Sequence, residues 1–184
     1  MTNRRSLVLA GVGCLPLGLL AQRKPAAHAS GKRLRAGEDR FGEDRTIGVS
    51  TAKFKVSTGD TQGALFAMEH KHTRNGGPAR HLHLNEDEWF YVLEGEYWIE
   101  VGGDRFTIGP GDSVLVPRRT PHAYAFQGNG VGRLLLTFSP AGKMEESFRA
   151  FKDRGGNYSR WDSPEARKRA RQFGMELLGP PLSI

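Results

Sequence analysis

Two stretches of the sequence carry side chains that could bind a metal ion or move a proton. Residues 81–96 read HLHLNEDEWFYVLEGE, in which His81 and His83 stand two apart and Glu88 opens an apolar run. Because residues two apart on a strand point to the same face, the two histidines could share a face, and Glu88 could join them if the chain bends between. Residues 111–122 read GDSVLVPRRTPH and end at a further candidate, His122.

Each of these residues has a less specific interpretation when it is taken alone. A single histidine at the start of a strand is usually a surface or core residue, and the acidic residues of NEDE are ordinarily solvated. The ordered combination is more specific, because it uses three of the five histidines that follow residue 29. The only cysteine is Cys14, so a chain cleaved after Ala29 would bind a metal through nitrogen and oxygen atoms alone.

The elements that would position these residues are short strands. From residue 48 to residue 139, alternating or apolar runs such as ALFAMEHK, EWFYVLEG and GRLLLTFSP are separated by glycine and proline turns. Gly102 and Gly103 predict a hairpin between two of the runs. Six or seven evenly spaced strands without a helical crossover predict an all-β sandwich or barrel over residues 48–139.

The segments on either side have a different composition. Residues 30–47 are charged and lack periodicity, which predicts an exposed N-terminal arm. In residues 140–184, Met144, Phe148 and Phe151 recur at helical spacing, and Ser163-Pro164 is typical of a helix start. We therefore expect a C-terminal helical segment that packs on the barrel.

The first 29 residues have the composition of an export signal. Arg4-Arg5 precede an apolar stretch that ends in Ala27-His28-Ala29, and the paired arginines resemble a twin-arginine signal. A membrane anchor and a lipoprotein anchor at Cys14 are the alternatives, but the apolar stretch is short and interrupted by glycine and proline. We expect an exported protein, periplasmic or extracellular, with no stable membrane anchor after cleavage.

The basic charge does not predict a nucleic-acid partner. The signal holds four basic residues and no acidic ones, so its removal lowers the formal net charge from +7 to +3. Residues 163–174 hold several arginines, but no interleaved aromatic residues or reading motif accompany them. The basic balance is therefore largely a targeting feature.

The two histidine-bearing stretches together resemble a known family. GGPARHLHLNEDEWFYVLEG and GDSVLVPRRTPH resemble the two signature motifs of the cupin superfamily, and EDEWFYVLEGE and the C-terminal FGMELLGPPL resemble its single-domain quercetin dioxygenase-like (flavonol dioxygenase-like) members. The resemblance covers about residues 48–182. It implies a cupin β-barrel, jelly-roll-like and double-stranded, with short C-terminal helices. It also implies one divalent metal ion bound by His81, His83, Glu88 and His122.

The sequence departs from the superfamily pattern at three places without losing a ligand position. Asn75 stands where the first motif begins with glycine. In the second motif a glycine is expected two residues after the proline, and this chain has Arg119 there. Phe126 stands where the second motif has an asparagine. Glycine at position 119 would permit a positive φ, so Arg119 puts the local turn in question. Phe126 makes the predicted pocket more apolar.

The resemblance implies a metal-dependent dioxygenase that acts with O2 on a flavonol-like or other aromatic enol. Glu88 would be both ligand and general base. The metal would be Mn, Fe, Co, Ni, Cu or Zn, since nitrogen and oxygen ligands accommodate all six. Candidate pocket residues, chosen by strand position, are Phe66, Met68, Tyr124, Phe126 and Phe138, although core packing is the commoner role for any one of them.

The sequence is also compatible with other functions. The barrel could be degenerate and metal-free, or it could be a non-catalytic module that binds a metal or a small ligand, because one fold hosts many functions. A sugar isomerase or epimerase fits an aromatic pocket poorly. A homodimer is expected by resemblance, and small barrels commonly cover their exposed sheet edges.

Overall fold

The computed structural model describes residues 31–152 and 161–184. Contacts divide the chain after Arg33, and the unit Leu34–Ile184 holds every described strand and helix. The predicted signal lies outside the described residues, so export and processing stay predictions. Within the described ranges, no helix has the length and apolar character that crossing a membrane requires.

Eleven strands, two α-helices and a short 3-10 helix at Thr58–Thr61 make up the described part of this unit. The strands are β1 (Arg45–Ile47), β2 (Ser50–Val56), β3 (Phe66–His72), β4 (Ala79–His83), β5 (Asp87–Glu94), β6 (Glu96–Val101), β7 (Asp104–Ile108), β8 (Ser113–Val116), β9 (His122–Gln127), β10 (Gly132–Ser139) and β11 (Met175–Pro181). The helices are α1 (Met144–Lys152) and α2 (Pro164–Gln172).

The strands form two antiparallel sheets. One sheet has the order β1-β2-β3-β10-β5-β8, and the other has the order β11-β4-β9-β6-β7. Their inward side chains form one core that includes Phe54, Phe66, Phe90, Tyr97 and Leu134. The prediction of an all-β barrel with short C-terminal helices is confirmed.

Strand β5 shows how the sequence pattern sets the inner face. Glu88, Phe90 and Val92 are buried, whereas Trp89 is partly exposed and Leu93 is exposed. This period-two alternation is that of a strand with one face toward a core. β5 pairs with β10 on one side and β8 on the other, so Glu88 enters the barrel from a central strand.

The predicted hairpin between β6 and β7 is also present. The two strands pair from Tyr97 opposite Ile108 to Val101 opposite Asp104. Gly102 and Gly103 both have positive φ, 63° and 111°, which a two-residue turn of this kind requires at both positions.

The expected arm over residues 30–47 is wrong for its second half. Strand β1 pairs with β2, and Arg45 is fully buried. The Asp39 carboxylate accepts hydrogen bonds from the Arg45 guanidinium at 2.5 Å and from the Phe54 amide at 2.6 Å. The composition of the segment did not predict this strand, because a buried arginine is tolerated only when a carboxylate such as Asp39 pairs with it.

The C-terminal segment 140–184 holds a strand as well as the two predicted helices. Ser163 caps α2 by accepting a hydrogen bond from the Ala166 amide, as its sequence pattern predicts. Strand β11 follows and pairs with β4. It ends in prolines, which disfavour a central strand but are tolerated at the edge of a sheet, where β11 lies.

Candidate metal centre

The four predicted ligands come from three strands in two sheets. His81 and His83 lie on β4, His122 opens β9, and Glu88 lies near the start of β5. β4 and β9 are neighbours in one sheet, with His81 directly opposite His122. Glu88 belongs to the other sheet, so the cluster forms where the two sheets face each other.

The structure brings these four side chains together. One potential ligand atom from each residue lies within 4.8 Å of those of the others. His83 Nε2 and His122 Nε2 lie 3.1 Å and 2.9 Å from the same Glu88 oxygen, Oε2. The His81 and His122 ring centroids are 4.4 Å apart. His83, Glu88 and His122 are buried, and His81 is partly buried.

Backbone carbonyls fix the orientation of two of the imidazoles. His81 Nδ1 lies 2.8 Å from the carbonyl oxygen of Ala79, and His122 Nδ1 lies 2.9 Å from that of Thr120. A carbonyl oxygen only accepts, so each Nδ1 carries a proton and donates it. In a neutral ring this leaves Nε2 with a free lone pair. Metal-bound histidines in proteins are commonly oriented in this way.

Burial and the neighbouring charges set the ionisation of the cluster. Burial alone would raise the pKa of Glu88, but the contacts with His122 and His83 outweigh it and hold that pKa well below its ordinary value. Burial, reinforced by His122 and His83, lowers the pKa of His81 well below its usual range. Glu88 is therefore a carboxylate and His81 a neutral imidazole at neutral pH.

These donors fit a divalent cation. His122 Nδ1 donates its proton to the Thr120 carbonyl, and Nε2 of the same ring lies 2.9 Å from the Glu88 carboxylate. A divalent cation bound between these two atoms would take both of them as ligands. Three nitrogens and one oxygen suit Mn, Fe, Co, Ni, Cu or Zn. The cluster could hold such an ion, and its binding stays a prediction.

A cavity opens beside the cluster. Its volume is about 80 Å³, which is enough for several water molecules. Glu88, His81 and His83 line one part of it. The remaining lining residues come from β3, β9, β10, β11, α1 and the start of β4 and are mostly apolar: His70, Pro78, Ala79, Tyr124, Leu136, Phe138, Met144, Ser147, Phe148, Phe151, Met175 and Leu177.

Two of the five predicted pocket residues line this cavity. Tyr124 and Phe138 do so, whereas Phe66, Met68 and Phe126 lie in the hydrophobic core and are not among its lining residues. Phe66 stacks on Phe138 with centroids 5.9 Å apart. The positions of these residues on their strands predict that the side chains point inward. They do not predict which side chains line the cavity and which pack only in the core.

Sequence reasoning missed the contribution of the flanking segments to the cavity. The spacing of Met144, Phe148 and Phe151 predicted an apolar helix face, and the structure places that face over the cavity. Met175 and Leu177 belong to the unpredicted strand β11. His70 lies in the sequence EHKH, a second pair of histidines two apart, and that pair was the available signal for it.

Arg119 adopts the conformation for which the superfamily pattern uses glycine. Its φ is 66°, in the left-handed region. The Arg119 amide donates a hydrogen bond of 2.6 Å to the carbonyl oxygen of His83. The turn before β9 is therefore kept despite the substitution, and it is tied directly to a residue of the cluster.

Comparison with known proteins agrees with this architecture. Residues 65–138 match the family model for the cupin domain. The matched range includes all four residues of the cluster. Together with the two facing antiparallel sheets, the match supports a cupin domain over these residues.

Individual relatives are distant. The polyketide cyclase RemF from Streptomyces resistomycificus superposes with a TM-score of 0.50 at 23% identity, covering 59% of this chain and 79% of that one. An RmlC-like cupin from Shewanella frigidimarina gives 0.47 at 27% identity, covering 56% and 87%. An uncharacterized protein of Methanocaldococcus jannaschii is 28% identical over 67 residues, which is 36% of this chain and 54% of that protein. The chain thus matches about half the length of this curated relative, and the likeness to the cyclase concerns the fold alone.

Proposed function

We propose that this protein is a metal-dependent dioxygenase that acts on a flavonol-like or other aromatic enol. The observation that carries the metal assignment is the orientation of His81 and His122. Each donates its Nδ1 proton to a backbone carbonyl, so Nε2 is the nitrogen left to bind an ion, and in His122 it lies 2.9 Å from the Glu88 carboxylate. His81, His83, Glu88 and His122 would hold the ion, which supplies Lewis acidity and oxygen chemistry when bound.

The chain's own groups support an enol substrate. Glu88 is anionic and lines the cavity, so it is placed to accept the proton of an acidic substrate hydroxyl. The cavity wall formed by Phe138, Phe148 and Phe151 would pack against an aromatic ring and exclude water from the reacting atoms.

Metal content is the first test of this proposal. The protein should be purified without nickel affinity resin or chelator, and its metals counted by mass spectrometry. We expect about one equivalent of a divalent transition metal in the wild type and its loss in His83→Ala, because that change removes one ligand. His72→Ala is the matched control, since His72 is a buried histidine outside the cluster and should keep the ion.

Oxygen uptake then separates catalysis from binding. Protein loaded in turn with each candidate metal should consume O2 with a flavonol or a smaller aromatic enol. Bound metal without uptake for any metal or substrate would favour a non-catalytic binding module. Absence of metal, or metal that persists in His83→Ala, would reject the metal centre itself.

A further inference from the structure

One histidine that lines the cavity does not belong to the metal cluster. His70 lies on β3, in the sheet that also contributes Glu88, and is 2% exposed. It shares the cavity with His81, His83 and Glu88. None of the steps assigned above uses it, although its ring carries two nitrogens that can donate or accept.

Neighbouring groups determine which ring nitrogen of His70 carries the proton. The Ser50 hydroxyl donates to the carbonyl oxygen of Ile47 at 2.9 Å, which uses its only hydrogen. The same Ser50 oxygen lies 3.0 Å from His70 Nδ1. With its hydrogen directed at Ile47, the Ser50 oxygen meets that nitrogen as an acceptor, and His70 Nδ1 then carries the proton and donates it. The Tyr124 hydroxyl oxygen lies 3.2 Å from the same nitrogen.

The other ring nitrogen is left as an acceptor. Burial lowers the pKa of His70 to about 4, although the Glu88 charge acts in the opposite direction, so the ring is neutral at pH 7. With the proton on Nδ1, Nε2 has a free lone pair. Nε2 is buried and has no hydrogen-bond partner among the described residues. A buried acceptor left in this way is costly unless a bound molecule satisfies it.

We propose that His70 Nε2 accepts a hydrogen bond from a hydroxyl group of the molecule that binds in the cavity, and thereby selects substrates with a second hydroxyl. The first hydroxyl is the one that meets Glu88 and the metal cluster. The substrate class is then a dihydroxylated aromatic or an enol with a further O–H group. This assignment rests on the proposed function in one respect, because it places the substrate beside the metal cluster.

His72 is an internal control for this role. It lies two residues from His70 on the same strand and is equally buried, at 1% exposed. Its Nδ1 also meets a tyrosine hydroxyl, that of Tyr97, at 3.1 Å. His72 is not among the lining residues of the cavity, so its replacement should disturb the core without changing ligand preference.

The test compares ligands that differ by one O–H group. The three benzenediols and their three monomethyl ethers should be titrated calorimetrically into zinc-loaded and metal-free protein. We expect at least one diol to bind the wild type roughly tenfold tighter than its ether, as one added hydrogen bond would give. His70→Leu should abolish that preference, His70→Gln should restore part of it through its amide oxygen, and His72→Leu should leave it unchanged.

A measurement on the wild type covers the case in which the His70 variants do not fold. Nitrogen-15 spectra of histidine-labelled protein should show His70 protonated at Nδ1, with the Nε2 signal shifting on addition of a diol but not of its ether. A proton on Nε2, equal affinity for diols and ethers, or a preference that survives in His70→Leu would overturn the proposal. Zinc content is read separately, so failure of the metal centre is distinguishable from failure of His70.

Discussion

At the scale of single residues, Glu88 carries the most chemistry. One of its oxygens faces both His83 and His122, and Glu88 is the one carboxylate among the described residues that line the cavity. Replacement by glutamine keeps the size of the side chain and removes its ability to accept a proton. We expect Glu88→Gln to lower oxygen uptake at least about 100-fold, the lower range for loss of a general base.

Metal content of the same Glu88→Gln protein is the necessary control, because glutamine is also a weaker ligand. Turnover should be compared per bound metal ion, under conditions that load both proteins. Unchanged turnover per ion would remove Glu88 from the role of base.

Arg119 gives a prediction about stability. A side chain in the left-handed region costs roughly 1–2 kcal/mol, and Arg119 lies there with φ of 66°. Arg119→Gly should remove this cost. The greater conformational freedom of glycine in the unfolded chain should offset the gain by up to about 1 kcal/mol. We expect a net gain of up to about 1 kcal/mol in the free energy of unfolding, measured by urea denaturation.

Arg119→Ala isolates the cause of that gain. Alanine removes the charge and the long side chain but keeps Cβ, so it should not stabilise the protein. Equal stabilisation by both substitutions would assign the effect to the side chain instead of the backbone.

The sequence predicts the roles of some site residues better than those of others. His81, His83 and Glu88 lie within eight residues of one another in sequence, and their spacing alone placed them together. The role of His70 depends on Ser50 and Tyr124, which are 20 and 54 residues away. No local pattern encodes a hydrogen bond between such distant positions, so the geometry had to supply it.

At the scale of elements, the start of β10 is closely packed against β9 and β6. A Cβ added at Gly132 would overlap the ring of Phe126 and lie 2.6 Å from the hydroxyl of Tyr97. Both side chains are fully buried and have little room to move. Gly132→Ala should therefore lower the free energy of unfolding by about 1–3 kcal/mol, the usual cost of overpacking.

Gly130→Ala is the matched control, because an added Cβ there meets nothing within 4 Å. It should change stability by no more than about 0.5 kcal/mol. Both variants should be compared by thermal and urea unfolding. If Gly132→Ala behaves like Gly130→Ala, the close contact with Phe126 does not constrain the barrel.

The same elements show what periodicity can and cannot predict. β5 and the hairpin of β6 and β7 follow from alternation and paired glycines. β1 and β11 do not, because a charged three-residue strand and a strand ending in prolines lack that pattern. Both lie at sheet edges, where pairing with a neighbouring strand decides the conformation.

At the scale of the whole molecule, buried neutral histidines make stability depend on pH. Burial lowers the pKa of His70 to about 4 and, with help from His70, that of His72 to about 3. In the unfolded chain these two histidines become protonated near pH 6.5, whereas in the folded chain they stay neutral to a lower pH. The free energy of unfolding therefore falls as the pH drops below about 6.5. For His70 alone, the loss from pH 7 to pH 4 is about 3 kcal/mol.

Urea unfolding of the chelator-treated protein at pH 7, 5.5 and 4 measures this effect. His72→Leu should flatten the dependence, because it removes one of the groups that protonates on unfolding. The comparison is between slopes, so a uniform change in stability does not affect it. Parallel curves for the two proteins would show that His72 does not contribute.

The range that matches the cupin family, residues 65–138, contains all four residues of the metal cluster. Much of the cavity wall comes from outside that range, through Phe148 and Phe151 on α1 and Met175 and Leu177 on β11. Ser50 and Ile47, which orient His70, also precede it. The residues that would bind the ion and many of those that would contact a ligand therefore belong to different segments of the chain. Substitutions in the flanking segments would change which molecules fit the cavity and leave the four candidate ligands in place, whereas His70 acts from within the matched range.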